Sequence, residues 1–124
     1  MQEKIQLAGA RIIEHSPLAR IARWVLKTPN VAMVLGKQIH ISGVKKEDFL
    51  KDRYWVEHEL CHIQQYKDHG LFGFLSKYLI ESCRKGYYEN KFEAEAREVG
   101  RRNAGLPPEH PGRNKNTDPE NGGV

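Results

Sequence analysis

Two cysteines, Cys61 and Cys83, are all that the chain contains. They are too few for the disulfide framework of a small secreted fold, and a pair of buried thiols is expected. Long apolar runs are also missing. Ile21 to Leu26 and Val31 to Leu35, the longest stretches, are broken by Arg, Lys and Pro, far short of the roughly 20 residues that span a bilayer. Gln2, Glu3 and Lys4 follow the first residue with no continuous apolar core or small-residue cleavage site behind them. No secretory signal is read there, and a cytoplasmic location is expected. No internal repeat is present. The excess of cations is small, 20 Lys and Arg against 16 Asp and Glu, with a pI near 9.1. Pairs such as Lys45-Lys46, Arg84-Lys85 and Arg101-Arg102 are spread among acids, the pattern of solvated helix faces rather than a nucleic-acid footprint. Neither a membrane nor a nucleic acid is expected as partner.

With 124 residues, 39% of them hydrophobic, the chain has material for one domain and a modest core. That domain is expected over residues 1–105. The polar, Pro- and Gly-rich stretch 106–124 is read as a flexible tail. Ile5, Ala8, Ile12 and Ile13 suggest one side of an opening helix. Ser16-Pro17 reads as a cap and first turn, after which Leu18, Ile21, Ala22, Val25 and Leu26 recur at helical spacing. The expectation is a packing helix with Arg20, Arg23 and Lys27 outward, with a membrane-surface helix as the less favoured alternative. Val31 to Leu35 and Gln38 to Ser42, separated by Gly36-Lys37, form the pattern of an antiparallel hairpin. Lys45 to Asp48 is read as a connection. Three helices should follow, over about 52–68 before Gly70, over 71–85 before Gly86, and over 92–103 before Gly105. The fold class expected is α+β, helices packed with a small antiparallel hairpin or sheet.

The chemistry concentrates in His58-Glu59-Leu60-Cys61-His62. Residues four apart on a helix lie nearly one above the other, so His58 and His62 can present two imidazole nitrogens to one ion. Glu59 projects about 100° round from His58, where it can act as base toward a water on that ion without being a ligand. A zinc site of this kind takes a third protein ligand and leaves a position open. Asp68 and His69 are candidates near the helix end, but Gln65 stands where a glycine would let the chain turn back. Glu89, Glu93 and Glu95 offer a carboxylate from a separate helix, with Ala94 and Ala96 small enough for close approach, and Glu93 is preferred. Glu95, about 200° away, should face Arg97 or the second nitrogen of a histidine. Gln65 points either to a ligand or to solvent. Trp55 and Tyr66 are expected to pack against the hairpin, and Cys61 to point away from the histidines.

The HExxH string with its downstream Glu93-Ala94-Glu95-Ala96-Arg97 resembles zincin metallopeptidases of the gluzincin type, whose E-x-x-A-D segment supplies the third ligand. The stretch from about residue 30 to 100 is also similar to small bacterial predicted metallopeptidase domains associated with contractile injection systems. The resemblance implies a minimal zincin-like fold, Zn2+ held by His58, His62 and Glu93, and hydrolysis of a peptide or protein substrate with Glu59 as base. It further implies an edge strand of the hairpin that binds substrate backbone, and a Tyr or His as transition-state donor, for which Tyr87, Tyr88 and His69 compete. Arg97 stands where these peptidases carry a supporting aspartate. That departure, with the small size, keeps open a second reading, a non-catalytic metal-binding or protein-interaction module.

Overall fold

The computed structural model describes residues 9–109. Its frame is the hairpin of β2 (Val31–Leu35) and β3 (Gln38–Ser42), paired antiparallel from Leu35 opposite Gln38 to Val31 opposite Ser42. Gly36 opens the two-residue loop at φ +65°, a conformation that costs a glycine little. A third strand, β1 (Arg11–Ile13), runs parallel to β3 and gives the order β1-β3-β2. This corrects two expectations. The sheet is mixed, and Ile12 and Ile13 belong to a strand. Their β-branched side chains suit the pleat, and Arg11 is tied to the hairpin loop by its N–H to the Lys37 carbonyl at 3.0 Å. Ile5 and Ala8 lie outside the described residues.

Helix α1 (Pro17–Leu26) begins as expected, with the Ser16 hydroxyl accepting from the Ala19 N–H, and ends at Lys27 in the left-handed region. Arg20 and Lys27 are outward as expected, but Arg23 and the apolar stripe are turned the other way. Ala19 is buried and the Arg23 Nη1 donates to Ser42 Oγ at 3.1 Å, while Leu18, Ile21, Trp24 and Val25 face outward. Polar contacts set this orientation. The Ser16 N–H donates to the Ile41 carbonyl at 3.2 Å and Ser16 Oγ lies 2.8 Å from His40 Nδ1, so the first turn is fixed to β3 and its small and polar side is sheetward. Gly43 permits the return beneath it. A Cβ there would sit 2.1 Å from the Pro29 carbonyl oxygen.

Lys46–Lys51 is a short helix, α2, rather than a connection, and carries Phe49 and Leu50 into the core. Helix α3 (Arg53–His69) starts on Asp52, whose carboxylate accepts from the Trp55 N–H at 3.0 Å. Helix α4 (Leu71–Glu89) breaks at Gly86, φ +83°. Helix α5 (Lys91–Asn103) is capped by Asn90, which accepts from the N–H groups of Phe92 and Glu93. Ala32, Val34, Ile39 and Ile41 of the sheet meet Trp55, Val56, Ile63 and Tyr66 of α3, closed by Phe49, Phe74 and Phe92. Tyr66 packs on the hairpin as expected and donates its hydroxyl proton to the Val34 carbonyl. Helices α3 and α5 approach closely where Ala96 is buried and Gly100 faces Tyr54, whose ring carbon would lie 3.0 Å from an added Cβ. Ala94 is exposed and contributes nothing to that approach. The two thiols are not both buried. Cys61 is half-buried and Cys83 exposed, since Cys83 falls on the outer side of α4. Among the described residues no helix is long and apolar enough to cross a membrane. The proposed tail from residue 110 onward lies outside them.

Candidate metal centre

Helix α3 is buried along the stripe that meets α4 and α5, and His58, Glu59 and His62 all lie on its buried part. The two imidazole rings stand 5.1 Å apart, centroid to centroid, as the i, i+4 relation requires. The Asn90 cap starts α5 so that Glu93 falls in its first turn, fully buried and aimed at the same point. Glu93 Oε1 is 3.1 Å from His58 Nε2 and 3.2 Å from His62 Nε2, and ligand atoms from the three residues all lie within 4.8 Å of one another. The other candidates are elsewhere. Asp68 accepts from the Gln64 amide on the surface, Glu89 is exposed, and the His69 ring stacks on Phe74.

Gln65 is turned to the ligand side, not to solvent. Its Nε2 donates to Glu95 Oε1 at 2.6 Å and to the Phe92 carbonyl at 3.1 Å, which leaves Oε1 facing His62 Nδ1 at 2.8 Å. The amide orientation is therefore fixed by its donors, and His62 carries its proton on Nδ1. Neutral His62 then presents a bare Nε2 lone pair to a carboxylate oxygen 3.2 Å away. Two acceptors at that distance are held together only by a proton or a cation between them. Tyr54, whose hydroxyl is 3.2 Å from His58 Nδ1, can accept from that nitrogen and leave His58 Nε2 bare in the same way. Two neutral imidazoles and a carboxylate, each oriented by an outer partner, are a donor set that zinc takes in tetrahedral geometry.

In the metal-free cluster the electrostatics favour a proton between His62 and Glu93, the position a cation would take. Burial opposes ionisation of Glu93, but the two histidines outweigh it and hold the carboxyl well below the usual carboxylate range. Burial also opposes the His62 cation, yet the Glu93 charge and hydrogen bonds to Glu93 and Gln65 leave its pKa raised. His58 is lowered, chiefly by burial. Because the Glu93 pKa is depressed in the folded state, its contribution to the metal-free protein is present above the unfolded value of roughly 4.3 and is lost as pH falls toward the folded value. A pH series of thermal midpoints in the presence of chelator should therefore fall below about pH 4, and Glu93→Gln should flatten that limb.

Tyr78 of α4, which the sequence pattern gave no reason to separate from the apolar stripe, donates its hydroxyl proton to Glu93 Oε2. Burial and the neighbouring Glu93 and Glu59 charges push its pKa up, so it is a firm donor. A buried tyrosine hydroxyl on a core-facing stripe needs a polar partner, which is the signal that marks it in retrospect. Of the expected donors, Tyr88 packs under the Arg97 guanidinium at 4.0 Å and donates to Glu109, and Tyr87 lies on the surface side of α4. Arg97 is directed to the Tyr88 carbonyl and Glu109. The outer partners of the two histidines are Gln65, itself held by Glu95, and Tyr54.

Two cavities flank the cluster. One of about 40 Å³ is lined by Met33, Val34, His62, Tyr66, Phe74 and Tyr78, room for about one water. The other, about 280 Å³, lies between α3 and α5 and includes Cys61, Gln64 and Glu95. The Cys61 thiol is pushed up to about 12 by burial and by the Glu95 and Glu93 charges, and it takes no part in the cluster. Gln65→Leu removes the His62 partner while filling the space. It should weaken zinc binding about 10- to 100-fold, as read by competition with a chromogenic chelator, with little change in helix content. No protein-family model, curated protein or solved structure matches the chain.

Proposed function

We propose that the chain is a zinc-dependent peptide-bond hydrolase of the gluzincin type, acting in the cytoplasm on a peptide or protein. The observation that carries this reading is the convergence of His58, His62 and Glu93 within 4.8 Å, with Glu59 fully buried one residue along the same helix. Zinc bound there would supply Lewis acidity, bringing the pKa of a bound water to about 7. Glu59 would serve as the base that takes a proton from the attacking water and returns it to the leaving amine. Gln65 and Tyr54 hold the imidazoles in the metal-binding tautomer. Tyr78, on the wall of the smaller cavity, donates its hydroxyl proton to Glu93 and so holds that carboxylate toward the histidines.

Strand β2 is the route for substrate backbone. It pairs only with β3 among the described residues, and the Val34 carbonyl, turned toward Tyr66, marks its outward side. Peptide groups alternate along a strand, so Ala32 faces the same side, but Ala32 is fully buried and the Val34 carbonyl is taken by Tyr66. An extended peptide can add there only where that side opens. The test is a peptide-library digest with zinc-loaded protein, with and without chelator. Cleavage that disappears with chelator and returns with zinc supports the reading. Zinc uptake with no cleavage of any peptide would instead favour the non-catalytic metal-binding module, for which the small volume beside His62 is the specific argument.

A further inference from the structure

The apolar side of α1 is turned away from the protein. Trp24 is 81% exposed, Val25 61%, Ile21 58% and Leu18 45%, although a ten-residue helix ordinarily buries such a stripe to be stable. At 100° per residue these four lie on one arc, with Arg20 at its Trp24 margin and Lys27 closing the C-terminal end. No acid occurs in the helix. The nearest one before it, Glu14, accepts from the Lys46 N–H. A shallow recess of about 740 Å³ at the same end is lined by Arg23, Trp24, Val25, Lys27 and Thr28, two cations and a hydroxyl around an indole, again without an anion.

We propose that α1 is a membrane-surface anchor that lays Leu18, Ile21, Trp24 and Val25 into the interface of an anionic phospholipid bilayer, with Arg20 and Lys27 against the headgroup phosphates. The helix lies in the interfacial plane and spans nothing, in agreement with the absence of a membrane-crossing helix among the described residues. Three features select this occupant. The residues are those of interfacial helices, an indole and aliphatic side chains on one side and cations beside them. The four side chains are 45–81% exposed, available to enter a soft surface. Its charge is of one sign, so a second copy laid face to face would oppose cation to cation, whereas an anionic surface is complementary, each basic residue adding about fivefold to affinity. The sequence pattern alone favoured packing for this helix over a membrane surface. The inference rests on its observed rotation and is independent of the metal.

The full chain is to be sedimented with vesicles of phosphatidylcholine alone and with phosphatidylglycerol added, at low and high salt. Trp24 is a built-in reporter because the only other tryptophan, Trp55, is already buried. Binding to the anionic vesicles only, with a blue shift of emission and loss of iodide quenching, is expected. The double variant Ile21→Glu with Val25→Glu replaces two exposed side chains, so its circular dichroism should match the wild type while binding falls at least tenfold. Arg20→Gln with Lys27→Asn should lose about twenty-five-fold on the anionic vesicles, asparagine being tolerated in the left-handed conformation of Lys27. Several results would overturn the proposal: no binding to anionic vesicles at low salt, equal binding to neutral ones, variants that bind like the wild type, a lipid-free chain whose Trp24 is already shielded from iodide, or sedimentation as a dimer that the double variant dissolves.

Discussion

Glu93→Gln is expected to weaken zinc binding by more than about a hundredfold while leaving the helices in place. Loss of an outer partner of a ligand costs about 10- to 100-fold, and loss of a charged ligand costs more. Glutamine keeps the volume of a fully buried side chain and so avoids the cavity that alanine would leave. What it removes is the charge toward which both histidine Nε2 atoms point. The rival explanation of the cluster is a purely structural contact between protonated His62 and Glu93. Breaking such a buried pair costs about 3–5 kcal/mol of stability whether or not zinc is present. The two accounts separate in the wild type. A metal centre gives a thermal midpoint that rises with zinc and falls with chelator, and the rise is absent in Glu93→Gln. A structural pair gives a midpoint indifferent to zinc in both proteins.

Glu59→Gln should have the opposite profile, with zinc content unchanged and hydrolysis reduced about 10²- to 10⁴-fold, the usual contribution of a positioned general base. Glu59 is fully buried and directly follows His58 on α3. The amide preserves shape and removes the proton acceptor. Single-turnover cleavage of a peptide identified in the library digest, alongside metal analysis of the same sample, gives both quantities. If the variant lost zinc together with activity, Glu59 would be a ligand rather than a base.

The histidines were legible because a four-residue interval on a helix has one geometric meaning, and the end of the helix was legible from its terminal glycine. The hairpin followed from two β-rich runs around Gly36-Lys37. Glu93 was reachable by pattern, but the sequence left Glu89, Glu95 and Asp68 beside it, since the choice depends on where Asn90 starts α5. Tyr78 was hidden because it shares the spacing of Phe74 and so reads as core. β1 and α2 escaped for a related reason. A three-residue strand and a six-residue helix hold little periodicity of their own, and each exists through contacts with β3 or the core. In α1 the period was right and the direction wrong. Hydrophobic spacing shows that a helix has two sides, whereas the bonds from Ser16 to Ile41 and His40, and from Arg23 to Ser42, decide which side meets the sheet.

Calorimetric titration of chelator-stripped protein with zinc, followed by X-ray absorption at the zinc edge, tests the metal centre most directly. One zinc per chain is expected, with two imidazole nitrogens and carboxylate oxygen at about 2.0–2.2 Å and no sulfur, and with the histidine signature halved in His62→Ala. A chain that takes up no zinc, or whose zinc carries a sulfur neighbour at about 2.3 Å, would contradict the assignment of the site to His58, His62 and Glu93.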